Sequence, residues 1–289
     1  MYFSIIIPIY HDSKRLLLLL DSLSNQIFKK EIWEVIVINN DPNDAIKIEM
    51  KYPFPISMEN EPNPGSYAAR NRGIKTADGK ILGFIDSDCI PSPLWLQTAY
   101  ECFETDFKNK IGILTGPVPL FYKNPEYLSD AEVYEKYTGF TTEAYAKGGH
   151  AITANWFSYR SIMEEFKGFN SDLKSNGDSE LSGQISNKYK IVYNPNLVVR
   201  HPARYHTDEL VNKYKRLTGG TYDRKYKDRK NAFSFYILNF FLRRYRFAFK
   251  NLFLLSPKES MAVLKVSHAI NLGVLKEYFH LTQGGETKR

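Results

Sequence analysis

The chain has 289 residues, of which 43% are hydrophobic and 25% charged, a composition that excludes global disorder and allows a sizeable buried core. Its formal net charge of +7 is concentrated, because residues 200–250 hold fourteen Lys and Arg against four acids, whereas the remainder holds 25 basic and 28 acidic residues. This indicates an acidic partner for that segment only. Two cysteines, Cys89 and Cys102, are too few for a disulfide framework or a zinc site.

The chain opens with a strand–helix–strand pattern. Residues 3–9, FSIIIPI, predict a strand buried on both faces. Asp12 or Ser13 can cap the helix that follows, and a second apolar run at 33–38 ends in a turn rich in Asn and Asp. This order implies parallel pairing of the two strands.

The alternation continues to about residue 90. A weaker strand at 55–58 precedes a helix from Ser66 to about Ala77 and then a short buried run, ILGFI. A doubly wound α/β sheet is therefore expected. Neither GxGxxG after the first strand nor GxxxxGK[ST] occurs, which argues against a dinucleotide-binding oxidoreductase and excludes a P-loop.

Two carboxylates, Asp86 and Asp88, follow the ILGFI run. The carboxyl ends of strands are where open α/β sheets bind ligands, and alternation along an extended chain places both acids on one side. Paired carboxylates suit Mg²⁺ or Mn²⁺, which can in turn hold a substrate's phosphates. The alternative for this motif in isolation is a solvated turn.

Polar or ring-bearing residues also follow the first two strands, namely Tyr10, His11, Asn39, Asn40 and Asp41. Such strand ends can hold a nucleoside through stacking on Tyr10 and hydrogen bonds to base and ribose. For Tyr10 alone, the alternative is a packed loop aromatic.

An ordered set of motifs identifies a family resemblance. SIIIPIY, VIVINN, GSYAARNRGI, ILGFIDSDCIP and WL are followed by GGHAITANWFSYR, GFNSDL, NGDSEL and VVRHP. Together they closely resemble the glycosyltransferase family 2 domain over roughly residues 3–205. Each motif alone is weak, whereas the ordered set at these spacings is specific.

The resemblance implies a GT-A (Rossmann-like) fold, with a mixed, mostly parallel sheet flanked by helices and a helical C-terminal appendage. The implied catalytic domain is 1–205, with a nucleotide-sugar-binding half at 1–116 and an acceptor-binding half at 117–205. Residues 206–289 form a basic and aromatic helical region.

The resemblance also assigns the donor and metal sites. The implied donor-binding residues are Pro8, Tyr10, Asn39, Asp41, Arg70, Asp86, Ser87 and Asp88. Asp88 and His201 are the implied ligands of a divalent metal, Mn²⁺ or Mg²⁺. Family members usually carry Asp where this chain has Asn39, which leaves open whether the base is that of a UDP- or a GDP-linked donor.

Asp178 matches the family's catalytic base. By this resemblance it takes the proton from an acceptor hydroxyl in a single displacement that inverts configuration. The family usually has Glu before this Asp, and this chain has Gly177, so Glu180 is the second catalytic candidate. The alternative is that both acids merely complement a helix dipole.

Asn155 and Trp156 match acceptor-facing positions of the family. An aromatic plane against a sugar face is physically reasonable. Cys89 matches a small residue after the Asp-x-Asp motif and is expected to pack.

The segment from Lys213 to Leu255 mixes basic and aromatic residues. This composition predicts peripheral contact with an anionic membrane through residues 213–255. The alternative is a helical hairpin packed on the catalytic domain. No nucleic acid is expected, since no RNA-binding motif accompanies the basic residues.

The resemblance therefore implies an inverting, metal-dependent glycosyltransferase acting on a glycan, glycolipid or protein-glycan acceptor. Because no signal peptide precedes the first strand and no apolar run is long enough to span a bilayer, a cytoplasmic location peripheral to the inner membrane face is expected. The rival is a glycosyltransferase-like protein that binds a nucleotide or glycan with little or no turnover. Nucleotidyl transfer lacks support, because no Gly-rich basic N-terminal loop occurs.

Overall fold

A computed structural model describes residues 1–41, 43, 44, 46, 48 and 50–287. Pro42 of the predicted Asn- and Asp-rich turn, and residues 288–289 of the C-terminal region, lie outside this described part. The strands are β1 Phe3–Ile9, β2 Trp33–Asn39, β3 Ile56–Asn60, β4 Ile81–Phe84, β5 Ile90–Pro91, β6 Ile111–Thr115, β7 Leu120–Phe121, β8 Trp156–Tyr159, β9 Lys190–Tyr193 and β10 Val199–Pro202.

The helices follow the same chain order. They are α1 Ser13–Ser24, α2 Ser66–Thr76, α3 Trp95–Glu104, α4 Asp130–Thr138, α5 Thr142–Lys147, α6 Arg160–Glu165, α7 Gly177–Ser186, α8 Thr207–Lys225, α9 Lys230–Asn251 and α10 Pro257–Thr282. A single 3₁₀ turn, Lys30–Ile32, precedes β2.

The chain divides into two compact units. Unit 1 comprises residues 1–119, 140–172 and 177–201, and unit 2 comprises residues 120–139, 173–176 and 202–289. The predicted halves at 1–116 and 117–205 differ from this division, because residues 120–139 group with the C-terminal helices. The reason is packing: Val133 and Tyr134 of α4 are buried in the same apolar cluster as Val263 and Ile270 of α10.

Unit 1 is built on a seven-stranded sheet of order β3-β2-β1-β4-β8-β6-β9. All its described pairings are parallel except those of β8, which runs antiparallel to β4 and β6. Every residue of β1 is buried, as its continuous apolar run predicts for a strand covered on both faces. The expected mixed, mostly parallel sheet with flanking helices is confirmed.

Helix α2 lies unusually close to the sheet. A Cβ at Gly73 would stand 2.5 Å from a side-chain carbon of Ile6 in β1, so only glycine allows this approach. The amino end of α2 is held by Asn40 after β2, whose Oδ1 accepts a 2.7 Å hydrogen bond from the Gly65 N–H. These contacts fix the helix that carries Arg70.

Unit 2 is helical around α10. This helix packs against α4, α8 and α9, and its buried residues recur along most of its length. The predicted helical C-terminal appendage is therefore present. Among the described residues, no helix combines the length and the apolar character needed to span a membrane.

Candidate active site

Side chains that follow three neighbouring parallel strands lie together at the carboxyl ends of those strands. β1 lies between β2 and β4, and after β1 the His11 ring lies 2.9 Å from Asp41 and 3.1 Å from Asp44, both of which follow β2. His11 has φ of 52°, a left-handed conformation that turns the chain sharply. Tyr10 beside it remains 63% exposed, so its ring offers a face for stacking.

An ion pair joins α2 to the loop after β4. Arg70 Nη2 lies 2.5 Å from Asp86 Oδ1, and the Arg70 side chain is only 4% exposed while Asp86 is 35% exposed. The guanidinium lies 5.8 Å from the ring centre of Tyr67 and 5.9 Å from that of Phe169. Arg70 Nε has no acceptor among the described residues. Arg70 thus orients Asp86 and brings a buried positive charge to the strand end.

Asp88 lies between two side chains from distant parts of the chain. Its Oδ2 is 3.3 Å from Arg15 Nη1 in α1 and 3.8 Å from His201 Nε2 in β10. β10 reaches this point because it pairs antiparallel with β5, just after Asp88. The short β5–β10 pair therefore brings residue 201 to residue 88.

The two acids converge through a turn. The Cys89 N–H donates to the Asp86 carbonyl at 3.0 Å, so the convergence does not come from the extended chain that the sequence analysis assumed. Ligand atoms of Asp86, Asp88, Cys89 and His201 all lie within 4.8 Å of one another. Cys89 is fully buried in the apolar core, as expected for a packing residue.

The donor set of this cluster fits a divalent cation. Two carboxylates provide the hard oxygen ligands that Mn²⁺ and Mg²⁺ prefer. The His201 imidazole adds a nitrogen atom to the candidate ligands. Asp86, Asp88 and His201 are thus the residues that would hold the metal.

The charges of Arg70 and Asp86 act on the carboxyl group of Asp178. It stands in the first turn of α7, where its Oδ1 accepts a 2.8 Å hydrogen bond from the Ser179 N–H. Burial raises the pKa of Asp178 above its ordinary value, the Ser179 N–H and Arg70 oppose this rise, and Asp86 adds to it. A partly desolvated carboxylate with a raised pKa is suited to accept a proton.

Tyr67 occupies the space beside Gly177. Its hydroxyl accepts a 2.9 Å hydrogen bond from the Gly177 N–H, and a Cβ at Gly177 would lie 2.8 Å from its ring. A Glu at position 177, as in the usual family pattern, would therefore displace the ring. Burial and the nearby Asp178 charge raise the pKa of Tyr67 to about 12, so its hydroxyl stays protonated at neutral pH.

Glu180, the second catalytic candidate, lies in a different setting. It lines a cavity of 250 Å³ between α7 and residues 166–170, together with Lys167, Asn170 and Gln184. Asp178, by contrast, interacts electrostatically with Arg70 and Asp86.

Two residues assigned to acceptor contact are buried and structural. Asn155 and Trp156 are both 0% exposed. Asn155 accepts from Trp95 Nε1 at 3.0 Å and donates to the Leu197 carbonyl at 2.7 Å, while Trp156 Nε1 donates to Ser158 Oγ at 2.7 Å. An acceptor sugar has no access to either side chain, so this assignment is corrected: both hold the centre of the sheet together.

Two donor-site residues are also buried. Pro8 lies within β1 opposite Ile38. Asn39 is 3% exposed, and its side chain accepts from the Asp41 N–H at 3.0 Å and donates to the Asp44 carbonyl at 2.8 Å. The Asn39 side chain therefore shapes the loop. Asp41 and Ser87 remain partly exposed and stay predicted donor residues.

Sequence reasoning missed two residues of the site. Tyr67 stands three positions before Arg70 in α2, a spacing that places both on one helical face and was a usable signal. Arg15 gave no such signal, since its role depends on the contact with Asp88, 73 residues away in the chain.

Two solved structures of glycosyltransferases share this architecture. The chain is similar to the mannosyltransferase PcManGT of Pyrobaculum calidifontis in complex with GDP-Man and Mn²⁺, with a TM-score of 0.60 and 15% identity over 98% of this chain and 76% of that one. S. aureus TarS 1–349 in complex with UDP-GlcNAc matches with a TM-score of 0.54 and 15% identity over 100% of this chain and 93% of that one. Both likenesses show a GT-A fold.

Sequence relatives define the family. The chain is 30% identical to glycosyltransferase AglE of Haloferax volcanii over 70% of this chain and 67% of AglE. It is 32% identical to the minor teichoic acid biosynthesis protein GgaB of Bacillus subtilis over 42% of this chain but only 14% of GgaB. The family model for glycosyl transferase family 2 matches residues 4–165, and the chain belongs to that family. It is a glycosyltransferase that uses a nucleotide-sugar donor.

Proposed function

We propose that this enzyme is an inverting, metal-dependent glycosyltransferase that moves a sugar from a UDP- or GDP-linked donor to a hydroxyl of a glycan, glycolipid or protein-glycan acceptor. The observation that carries the proposal is a series of contacts. Arg70 pairs with Asp86 at 2.5 Å and lies 5.8 Å from the ring centre of Tyr67, whose hydroxyl accepts a 2.9 Å hydrogen bond from the Gly177 N–H next to Asp178. These contacts support a role for the Asp178 carboxylate as the proton acceptor beside the Asp-x-Asp cluster.

The donor's diphosphate would lie at the Asp-x-Asp cluster. Asp86, Asp88 and His201 would hold the cation, which when bound supplies positive charge that stabilises the diphosphate leaving group. Arg70 Nε has no acceptor among the described residues, and Arg15 lies beside Asp88. Both guanidinium groups suit phosphate oxygens.

Tyr10 and Asp41 would bind the nucleoside. The exposed ring of Tyr10 can stack on the base, and the partly exposed Asp41 carboxylate can accept hydrogen bonds from base or ribose. Similar solved structures contain GDP-Man in one case and UDP-GlcNAc in another. Both nucleotides therefore remain candidates for this chain.

The reaction is one displacement. The acceptor oxygen attacks the anomeric carbon while its proton passes to the Asp178 carboxylate, and the bond from that carbon to the phosphate oxygen breaks. The electron pair of that bond leaves with the nucleoside diphosphate. Configuration inverts because the acceptor oxygen attacks the face of the anomeric carbon opposite the leaving group. Tyr67, hydrogen-bonded to the Gly177 N–H, positions the turn that carries Asp178.

The test combines metal removal with an Asp88→Asn variant. Donor consumption is measured with a panel of UDP- and GDP-sugars, with Mn²⁺ and after EDTA. We expect activity with at least one donor that is lost in EDTA, restored by Mn²⁺, and strongly reduced in Asp88→Asn, because leaving-group charge is then unscreened. Full activity in EDTA would refute metal dependence.

A catalytically weak glycosyltransferase that chiefly binds its donor is the second candidate, favoured by Gly177 and Asn39, where the chain departs from the family pattern. Binding of a donor to the protein, measured calorimetrically, with only very slow transfer or donor hydrolysis in the presence of Mn²⁺ would select this alternative.

A further inference from the structure

Helix α9 exposes an apolar stripe opposite its packed face. Phe233, Ile237 and Ala248 are buried. On the other side Phe235, Leu238, Leu242 and Phe249 follow one another at helical spacing, with exposures from 44% to 66%. One face of this helix therefore forms part of the helical core of unit 2, and the other remains apolar and exposed.

Cations border this stripe. Arg243, Arg246 and Lys250 are exposed on the neighbouring side of α9, and residues 230–251 contain no acidic side chain. The exposed surface of the helix is thus apolar along one line and positively charged along the next.

Helix α10 adds a second exposed stripe, which mixes apolar and basic residues. Its exposed positions at helical spacing are Met261, Lys265, His268, Leu272, Lys276 and Phe279. Of its two acids, Glu277 is buried and Glu259 pairs with Lys136 at 2.9 Å.

Two hydrogen bonds join the helices along the seam between these stripes. Tyr245 bonds His268 Nδ1 at 2.9 Å, and Ser234 bonds Tyr278 at 2.7 Å. The two exposed stripes therefore lie side by side.

The connection between the two helices forms an apolar tip. Leu252, Phe253 and Leu254 are all exposed, and Phe253 reaches 89%. We call the α9 stripe with the cations that border it, the α10 stripe and this tip the hairpin face.

We propose that the hairpin face docks on an anionic lipid bilayer, with its aromatic and aliphatic side chains inserted at the headgroup boundary and its cations against lipid phosphates. An apolar line bordered by Arg and Lys is the composition that binds such interfaces. A second copy of this chain is a poorer occupant, because two basic faces would repel each other.

This proposal goes beyond sugar transfer and does not depend on it. A catalytically disabled Asp178→Asn protein should bind vesicles as the unaltered protein does. Failure of the proposed chemistry and failure of membrane docking are therefore separate results.

The experiment is co-sedimentation of the full chain with vesicles of mixed phosphatidylcholine and phosphatidylglycerol, compared with phosphatidylcholine alone. We expect binding to the mixed vesicles and much weaker binding to the neutral ones. Raising the ionic strength from about 0.1 M to about 1 M shortens the Debye length from about 10 Å to about 3 Å and should weaken binding strongly.

Two variants test the two parts of the face. Phe249→Ser with Phe253→Ser removes exposed rings and should lower partitioning at least about tenfold. Arg246→Gln with Lys250→Gln should lower it about fivefold for each cation removed. Far-ultraviolet circular dichroism and thermal unfolding check that both variants fold as the parent does.

A matched control uses another exposed patch. Phe107 is 91% exposed and lies beside the exposed Lys108 and Lys110 in unit 1. The triple variant Phe107→Ser, Lys108→Gln, Lys110→Gln removes the same kinds of groups and should leave vesicle binding unchanged.

Three outcomes would overturn the proposal. They are no sedimentation with the anionic vesicles at low salt, unchanged binding by folded hairpin-face variants, and an equal loss in the Phe107 control. A concentration-dependent dimer that Phe249→Ser with Phe253→Ser abolishes, without vesicle binding, would instead assign the face to a second copy.

Discussion

Asp178 must be ionised to accept a proton, yet burial disfavours its charge. Burial raises the pKa of Asp178, and the Ser179 N–H and Arg70 only partly offset the rise. Because the folded pKa lies above the unfolded one, ionised Asp178 lowers the free energy of unfolding at neutral pH, and protonation relieves this loss as the pH falls. The proposed catalytic base therefore lowers the stability of the fold at neutral pH.

The Asp178→Asn variant is expected to lose activity without losing stability. Asn still accepts the Ser179 N–H bond but carries no buried charge, and loss of a general base lowers turnover by about 10²- to 10⁴-fold. Transfer assays and thermal unfolding measure the two effects. Glu180→Gln is the parallel variant: if it loses the larger share of activity, Glu180 and not Asp178 is the base.

The pH dependence of turnover follows from the same residue. Activity at saturating donor should fall on acidification as Asp178 becomes protonated. Since its pKa is raised, the acidic limb should lie above the value of about 3.9 found for an unperturbed Asp. A pH–rate profile whose acidic limb lies at or below about 4 would contradict this assignment.

At the scale of elements, a capping box fixes the start of α4. Ser129 Oγ accepts from the Glu132 N–H at 3.1 Å, and the buried Glu132 accepts from the Ser129 N–H and the Lys123 N–H, both at 2.8 Å. The carboxylate of Glu132 thus ties the preceding loop to the helix. This anchors α4 as it enters the core of unit 2.

Ser129→Ala should lower the free energy of unfolding by about 1 kcal/mol, because one helix N–H loses its acceptor. Chemical denaturation measures the change. Thr141→Ala provides the matched control, since Thr141 caps α5 without a side-chain hydrogen bond to that helix. A loss as large in Thr141→Ala would show that the capping bond is not the cause.

At the scale of the whole molecule, donor binding should stabilise the fold through mass action. A donor at about 100 times its Kd adds about 2.7 kcal/mol to the free energy of unfolding. We expect this stabilisation only with Mn²⁺ present, because in the proposed mechanism the diphosphate binds through a cation at the Asp86–Asp88–His201 cluster. A thermal-shift screen of UDP- and GDP-sugars with and without Mn²⁺ measures it, and an equal shift in EDTA would contradict the metal's role.

Much of unit 1 was predictable because its strands are continuous apolar runs. β1, β2 and β4 lie where FSIIIPI, WEVIVI and ILGFI predict them. A strand buried on both faces is apolar at nearly every position, so its extent can be recognised directly from the sequence. Asn155 and Trp156 were misassigned because a match to a position in the family's motif does not show whether a side chain is exposed or which hydrogen bonds it makes. Both are fully buried.

The sequence by itself determined the α/β alternation, the Asp86–Asp88 pair at a strand end and the family, because these depend on local pattern and motif order. Only the tertiary structure decided that Arg70 pairs with Asp86, that Arg15 reaches Asp88, and that Tyr67 fills the space beside Gly177. It alone separated the packed face of α9 from the exposed one. Such contacts join residues far apart in the chain, so strand order and helix packing decide them.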